Sequence, residues 1–506
     1  MIIKQGEQLK KYIKEKVNEN WRNRFFVESV KQFWDSSMDC VLGISGLRGM
    51  GKTTGLLQSL PDADNSLYIC AQKVRSVCID SADDVLDAID KYLCKNIIID
   101  EYTWIKDREK LDESLYAYIQ NGHRIAITGT ESMTLELLNY GKLAHRVHML
   151  HCNYFGYEEY LHLYNIEQPD SKTLDNYLTN GGVFEEYAIN SFDTMKSYIK
   201  EGIIDSLVSY LKNVDEDKAT AIVYNILYYA VCPEPAGRSH LLIPSEPMDS
   251  FRFFNAIGIN PETTYEKLDF SRAVDILKKT GVIIEVENVD GTNANKHRYY
   301  IVNPALNYQL FKTVYEREEP SNMLGEVFEA ACVANFSNCI SQNDKLYFLK
   351  GSKLTGKEYE IDFIIADKNC SPVNSKYAYY FECKHKSDIG LDRGISIESP
   401  EIEKYFPRAY DTGRYVLYRG SEESYAFFDE QHFIFAPLNS RLPQRYYDFD
   451  KQAEELKAKG LIYPKTPNNP FYAEYMEKKT KKPCGDECGQ EEIVLPWEPE
   501  KEEPDR

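Results

Sequence analysis

The feature that most constrains the fold is the octapeptide Gly-Leu-Arg-Gly-Met-Gly-Lys-Thr at residues 46–53. An apolar run at residues 41–44 precedes it, and a stretch with helical character follows at residues 54–60. A glycine-rich loop between a strand and a helix is the context that a phosphate-binding P-loop requires, because its glycines let backbone N–H groups turn toward the phosphates. We therefore predict a nucleotide-binding α/β domain.

The side chains of this loop have distinct expected roles. Lys52 neutralises charge on the β- and γ-phosphates, and Thr53 offers its hydroxyl group to Mg²⁺. We predict ATP rather than GTP as the nucleotide, because no guanine-specifying motif is visible. The predicted nucleotide-binding residues are Gly46, Gly49, Gly51, Lys52, Thr53, Thr54 and Asp100.

Asp100 belongs to a second motif, in which an apolar run at residues 96–99 ends in two carboxylates, Asp100 and Glu101. Asp100 is expected to hold the water shell of Mg²⁺, and Glu101 is expected to polarise the attacking water. A protein that bound nucleotide without hydrolysing it would not need Glu101. The pair therefore predicts ATP hydrolysis.

Two further residues are candidates for this site. The apolar run at residues 124–128 ends where a γ-phosphate sensor is expected, and we predict Thr128 for that role, with Thr130 as the alternative. Arg146 precedes the next apolar run and is a candidate charge-stabilising finger on a neighbouring subunit or on the chain itself. An ordinary surface arginine explains Arg146 equally well.

A different constellation lies near the C-terminus. Asp362 stands inside an apolar strand pattern, and Glu382 and Lys384 end the next one, which is the PD-(D/E)XK nuclease pattern. In that chemistry Asp362 and Glu382 bind Mg²⁺, Lys384 orients the attacking hydroxide, and Glu329 on a preceding helix completes the metal shell. The alternative is that these residues are solvent-exposed strand ends, so nuclease activity stays open.

Between the two motifs, residues 271–303 have the outline of a winged helix. A helix capped near Ser271 is expected to end at Gly281 and to lead into a strand, a turn at Asp290 and Gly291, and a second strand. Cationic side chains there either touch DNA phosphates or are solvated surface. They are Arg272, Lys278, Lys279, Lys296, His297 and Arg298.

Composition limits the remaining function classes. A net charge of -20 argues against indiscriminate binding to nucleic acid, so any DNA contact needs a local patch. No apolar run approaches the roughly 18 to 20 residues that a membrane span needs, and no signal-peptide core is visible, so we expect a cytoplasmic protein. The pair Cys484 and Cys488 lacks a second pair of ligands, and we do not predict a zinc site.

Taken together, GLRGMGKTT, IIIDEY, AITGTES, RVHMLHCNYFGYEEY, the winged-helix stretch and the IDF and ECK pair resemble a large prokaryotic family of AAA-type ATPases. The C-terminal part of that family is a PD-(D/E)XK-like domain of unknown function. The resemblance covers about residues 20–440, but this chain has His-Cys-Asn-Tyr at 151–154 where the family usually has a proline-leucine-serine motif. It implies ATP binding, hydrolysis and a switch-like conformational change, and names no substrate.

The resulting expectation is an α/β protein with a P-loop NTPase parallel sheet, a helical lid, a winged helix and a PD-(D/E)XK-like α/β domain. At 506 residues the chain is too long for one core. The expected segments are an N-terminal helical segment at 1–37, the AAA-type ATPase domain at 38–163, a helical lid at 164–248, the winged helix at 249–316, the nuclease-like domain at 317–446, and an extension with an acidic disordered tail at 447–506.

Two hypotheses for function follow. In the first, the nucleotide state of a Mg²⁺-dependent ATPase controls a winged-helix and nuclease-like module that acts on DNA. In the second, a nucleotide-dependent switch binds a protein partner, and the nuclease-like domain is inactive. Assembly into a homo-oligomer is compatible with both.

Overall fold

The computed structural model of the chain describes residues 1–18, 20–36, 40–74, 77–129, 135, 138, 143–144, 146–184, 187–208, 214–231, 267–290, 297–315, 323–339, 343–352, 358–385, 404–418, 424–428 and 431–437. Expectations about Thr130, Lys296, residues 249–266 and the extension from residue 447 lie outside these residues. The chain divides into two compact units, one made of Met1–Val286 and Ala294–Ala334, the other of Glu287–Asn293 and Asn335–Arg506.

The first unit is built around a six-stranded sheet. The strands described between residues 1 and 301 are β1 (Ile2–Gln5), β2 (Val41–Ser45), β3 (Ser66–Cys70), β4 (Lys73–Val74), β5 (Val77–Cys78), β6 (Asn96–Asp100), β7 (Arg124–Thr128), β8 (Val147–His151), β9 (Ile283–Asn288) and β10 (His297–Ile301). The strand order in the sheet is β1-β3-β6-β7-β2-β8, and all pairs except β1 with β3 are parallel. Strands β4 and β5 form a separate antiparallel pair.

The apolar runs explain this sheet. Strands β2 and β6 are buried along their whole length, as expected for parallel strands that helices cover on both faces. In the described chain, helices lie between β2 and β6 in sequence. Ile97 and Ile99 of β6 and Ile125 and Ile127 of β7 belong to one apolar core. The predicted strands at 41–44, 96–99 and 124–128 are therefore present.

The α-helices among the described residues are α1 (Glu7–Lys16), α2 (Phe26–Asp35), α3 (Lys52–Ser59), α4 (Ala82–Tyr92), α5 (Arg108–Gln120), α6 (Tyr157–Leu163), α7 (Ser171–Asn180), α8 (Phe192–Tyr198), α9 (Asp205–Val208), α10 (Glu216–Val231), α11 (Lys267–Lys279), α12 (Pro304–Tyr315) and α13 (Met323–Cys339). Ser81, Asp170 and Ser191 each form a capping box at a helix start. Such caps satisfy backbone N–H groups that have no partner inside the helix. Within the described part of the chain, no helix is both long and apolar enough to cross a membrane.

The N-terminal segment contains a strand in addition to the helices that its pattern predicts. It contains α1 and α2, but it begins with β1, which pairs antiparallel with β3 from Ile2 opposite Cys70 to Gln5 opposite Leu67. The first residues therefore extend the nucleotide-fold sheet at its edge. The sequence MIIKQ is too short to show a strand period, which is why its pattern did not predict this pairing.

Part of the predicted winged-helix stretch is also described. Helix α11 begins at Lys267, before Ser271, and ends ahead of Gly281, whose φ of 72° is the left-handed conformation that favours glycine at a helix end. Strands β9 and β10 follow as neighbours. These elements agree with the expected outline, and the winged-helix identity stays a prediction.

The second unit contains β11 (Asp344–Ser352), β12 (Glu358–Asp367), β13 (Tyr377–Lys384), β14 (Asp411–Tyr418), β15 (Ser424–Phe428) and β16 (Gln431–Pro437). Strands β11, β12 and β13 are antiparallel neighbours, β14 is parallel to β13 and β16, and β15 is antiparallel to β16. The predicted strand that holds Asp362 and the predicted strand that ends at Glu382 and Lys384 are thus present as β12 and β13.

Candidate functional site

The P-loop connects the carboxyl end of β2 to the start of α3. Gly46 has a φ of 147°, and a Cβ atom on it would lie 2.2 Å from the carbonyl oxygen of Cys152. Gly51 has a φ of 80° and stands immediately before the helix. Both positions require glycine, the first because of the close backbone approach and the second because of its left-handed conformation.

Lys52 is held inside this loop. Its Nζ donates to the carbonyl oxygens of Gly46 at 2.7 Å and Leu47 at 2.8 Å, and burial lowers the pKa of Lys52. An ammonium group bound to loop carbonyls sits where it can exchange them for phosphate oxygens. The structure therefore places the predicted phosphate-binding lysine in the loop itself.

Asp100 collects donors from neighbouring elements at the end of β6. Its Oδ2 accepts hydrogen bonds from Thr53 Oγ1 at 2.8 Å and from the Tyr68 hydroxyl at 2.7 Å, while its Oδ1 accepts the backbone N–H of Glu101 at 3.1 Å. Burial raises the pKa of Asp100, whereas the hydrogen bonds from Tyr68 and Thr53 lower it. The predicted pair Thr53 and Asp100 is thus brought into direct contact.

That pair suits a hard cation. A hydroxyl and a carboxylate supply the oxygen ligands that Mg²⁺ prefers, and Asp100 is 3% exposed, so its charge is little screened by water. The residues present therefore fit Mg²⁺.

Thr128 is the last residue of β7, and Glu101 comes directly after β6, the parallel neighbour of β7. Ile99 of β6 lies opposite Ile127 of β7, so the residues after them come to the same edge of the sheet. Glu101 adopts a left-handed backbone with a φ of 54°. Thr128 is fully buried, and within the described residues its hydroxyl oxygen has no hydrogen-bond partner. A buried hydroxyl without a partner is costly, and the role of Thr128 as a γ-phosphate sensor stays a prediction.

Arg146 lies at the opposite end of the parallel strands, just before the start of β8. Val41 pairs with Val147 at the start of β2 and β8, whereas Ser45 pairs with His151 at their ends, where the P-loop begins. The guanidinium carbon of Arg146 is 5.1 Å from the ring centre of Tyr116. Arg146 is therefore remote from the P-loop of its own chain, and a finger role would have to be played toward another copy.

Sequence reasoning missed three residues of this site. Arg24 donates to the Met50 carbonyl of the P-loop at 2.8 Å and pairs with Glu159, and Tyr68 donates to Asp100. Glu159 lies within the YFGYEEY segment that supported the family resemblance, which was a usable signal. Arg24 and Tyr68 had none, because their partners are distant in sequence.

The second unit brings together the strand residues of the nuclease-like pattern. Asp362 Oδ2 accepts the backbone N–H of Cys383 at 2.6 Å, and Lys384 Nζ donates to Glu382 Oε1 at 2.6 Å. Burial alone would lower the pKa of Lys384, but the carboxylates of Glu382 and Asp362 raise it. These three side chains therefore form one charged cluster on β12 and β13.

Glu329 has other partners. In the first unit its Oε1 accepts hydrogen bonds from Arg298 Nη1 at 3.0 Å and from the Tyr300 hydroxyl at 2.7 Å. Among the residues that the structure describes, no group of three or more His, Cys, Asp or Glu side chains is arranged to hold a metal ion. The four-residue metal site stays a prediction.

Several basic residues of the predicted winged helix also have acidic partners. Lys278 pairs with Glu285, His297 Nδ1 lies 3.2 Å from the same carboxylate, and Arg272 lies 3.6 Å from Asp269. Ion pairing of this kind reduces the positive potential available to a phosphate backbone.

Comparisons with known proteins bear on the first unit. Residues 39–161 match a family model described as an AAA domain, so this part of the chain is an AAA domain. No curated protein matches the chain. One solved structure that is similar, titled "Structure of C. elegans PCH-2", is 12% identical, covers 50% of this chain and 67% of that chain, and has a TM-score of 0.21. A likeness at this level supports no argument about activity.

Proposed function

We propose that the chain is a Mg²⁺-dependent ATPase. The observation that carries this proposal is the 2.8 Å contact between Thr53 and Asp100, next to a P-loop lysine and inside an AAA domain. In a sequence that matched the P-loop pattern by chance, a contact between its threonine and a buried carboxylate on a separate strand would not be expected. ATP and Mg²⁺ are the proposed ligands.

Each residue has a defined part in the proposed reaction. The P-loop amides and Lys52 bind the β- and γ-phosphates, and Thr54, one residue further along α3 than Thr53, would reach the α-phosphate. Thr53 and Asp100 would hold Mg²⁺, which when bound neutralises phosphate charge. Glu101 polarises the attacking water, and the Thr128 hydroxyl donates to the γ-phosphate.

Nucleotide binding by a Lys52→Ala variant tests the proposal. Removing the ammonium group deletes a charged contact to phosphate, so we expect no measurable binding of a fluorescent ATP analogue in the presence of Mg²⁺. Lys91→Ala is the matched control, since Lys91 is an exposed lysine of the same domain whose Nζ lies 5.2 Å from the ring centre of Tyr92. Equal binding by both variants would exclude the P-loop as the site.

The nucleotide state is proposed to control the region from α11 onward, which would act on DNA. The cluster of Asp362, Glu382 and Lys384 supports this hypothesis, because two carboxylates and a lysine are the groups that a metal-dependent nuclease needs. Cleavage of linear and supercoiled DNA with Mg²⁺ or Mn²⁺, followed on gels, tests it. Cleavage that Asp362→Ala abolishes would support a nuclease.

A second candidate is a nucleotide-dependent switch that binds a protein partner and has an inactive nuclease-like domain. The contacts of Glu329 with Arg298 and Tyr300 favour it, since a carboxylate neutralised by a guanidinium is a poor metal ligand. Intact DNA together with ATP hydrolysis that DNA does not stimulate would favour the switch. Partner capture that depends on Lys52 would then identify the target.

Assembly into a homo-oligomer is compatible with both proposals. Because Arg146 lies at the edge of the sheet opposite its own P-loop, it would serve as a finger only in a homo-oligomer. In that case Arg146→Ala should lower hydrolysis but leave nucleotide affinity unchanged. Specific activity of the wild type should also rise with protein concentration.

A further inference from the structure

A buried ion pair between Arg24 and Glu159 contacts the P-loop at Met50. Arg24 and Glu159 are 7% and 8% exposed, and the guanidinium binds both carboxylate oxygens, through Nε at 2.9 Å and Nη2 at 2.7 Å. Glu159 Oε1 also accepts the backbone N–H of Phe25 at 2.8 Å. Both carboxylate oxygens therefore have partners, and the orientation of the guanidinium is fixed.

The remaining guanidinium nitrogen contacts the P-loop. Arg24 Nη1 donates to the carbonyl oxygen of Met50 at 2.8 Å and to that of Asn153 at 3.0 Å. The thiol of Cys152 donates to the same Met50 carbonyl at 3.1 Å. Met50 stands between Gly49 and Gly51, the two glycines with left-handed backbones of 81° and 80°. The Met50 carbonyl, between two glycines with left-handed backbones, is therefore held by two side-chain donors.

Stability alone gives no reason to place an ion pair here. The cost of removing two charges from water often equals or exceeds their attraction, and a well-packed apolar pair is commonly as stable. An arginine offers something an apolar side chain does not, since its planar fork binds a carboxylate with one side and still donates to backbone carbonyls with the other.

We propose that Arg24 is a positioning residue for nucleotide binding, oriented by Glu159 and acting on the P-loop through the Met50 carbonyl. The proposal rests on the ATP-binding function proposed above. With the Met50 peptide held in place, the neighbouring amides keep the direction that phosphate binding needs. Arg24 would act through the backbone of the loop and would not itself contact a phosphate.

A double substitution separates this role from a structural one. Arg24→Met alone leaves Glu159 charged and buried without its partner, so it lowers stability whatever Arg24 does for the loop. Arg24→Met combined with Glu159→Gln removes both charges and keeps an acceptor for the Phe25 N–H. We expect the double variant to regain the free energy of unfolding that Arg24→Met loses, measured by urea titration without nucleotide.

Nucleotide affinity should not recover with stability. We expect the double variant to bind a fluorescent ADP analogue with Mg²⁺ about tenfold or more weakly than the wild type, the scale of one lost charge-assisted hydrogen bond. Glu159→Gln alone should bind with intermediate affinity, because Arg24 is present but less firmly oriented. A double variant that is stable and binds as tightly as the wild type would overturn the proposal.

Further readouts keep the outcomes distinct. Arg24→Lys preserves the buried charge but cannot bridge Glu159 and Met50 with one planar group, so it should also weaken binding, and unchanged affinity would count against the proposal even if the double variant did not fold. Failure of the wild type to bind the analogue would overturn the ATP-binding function itself. If the wild type binds the analogue and the Arg24 variants bind it with the same affinity, only the role of Arg24 would be overturned.

Discussion

The hydroxyl of Tyr68 donates to Oδ2 of Asp100 at 2.7 Å, the same oxygen that accepts the Thr53 hydroxyl at 2.8 Å. Tyr68 is buried on β3, one strand away from the proposed Mg²⁺ ligand, and its ring lies 5.2 Å from that of Tyr12 on α1. The carboxylate is thus held on one side by the P-loop helix and on the other by the adjacent strand.

Tyr68→Phe removes this donor and keeps the ring. We expect the Mg²⁺ concentration for half-maximal ATP hydrolysis to rise roughly tenfold, since a hydrogen bond to a charged group contributes about 1.5–3 kcal/mol. Steady-state hydrolysis over a Mg²⁺ titration gives the value. Tyr118→Phe is the control, because Tyr118 donates to Asp90 and joins α5 to α4 away from the site. Equal Mg²⁺ dependence in both variants would contradict a role for Tyr68.

Glu285 gives a prediction for pH. Burial acts to raise the pKa of Glu285, but hydrogen bonds from Lys278 and from the Tyr299 hydroxyl at 2.9 Å outweigh it, so the folded-state pKa is lowered. A lowered carboxylate pKa contributes stability that is present above the unfolded-state value of about 4.3 and is lost as pH falls through the folded-state value. Glu285→Gln should therefore be less stable than wild type at pH 7, and the difference should shrink below about pH 4.

Urea unfolding at pH 7, 5, 4 and 3, followed by circular dichroism, measures that difference. Asp269→Asn is a useful comparison, because its ion pair with Arg272 spans 3.6 Å and joins neighbours on one helix. Such a pair contributes little. A Glu285→Gln deficit that stayed constant across this range would show that the effect is packing and not charge.

The nuclease-like cluster gives a prediction for metal binding. If Asp362 and Glu382 hold a divalent cation, Asp362→Asn should reduce Mn²⁺ binding by the chain in calorimetry. Because Glu329 is engaged by Arg298 and Tyr300, we expect Glu329→Gln to leave Mn²⁺ affinity unchanged. A large loss of affinity in the Glu329 variant would instead restore the four-residue site that the sequence predicts.

The sequence predicted the parts of this protein that depend on local pattern. The P-loop, the strand that ends at Asp100 and the strand that ends at Thr128 have apolar runs followed by chemically distinctive residues, and the structure has them in that form. Strand β1 and the hydrogen bond from Tyr68 depend on pairing across tens of residues, which no local period reports. Glu329 was predicted as a metal ligand from its residue type and position, but in the structure it is bound by Arg298 and Tyr300.

The central claim is that Glu101 activates water for ATP hydrolysis next to the pair of Thr53 and Asp100. Phosphate release by the wild type and by Glu101→Gln, at saturating Mg²⁺ and ATP, tests it most directly, with nucleotide binding measured on the same samples. We expect wild-type turnover, and in the variant tight ATP binding with hydrolysis reduced by about 10²-fold or more, the scale of a lost general base. Undiminished turnover in Glu101→Gln, or no Mg²⁺-dependent turnover in the wild type, would contradict the account.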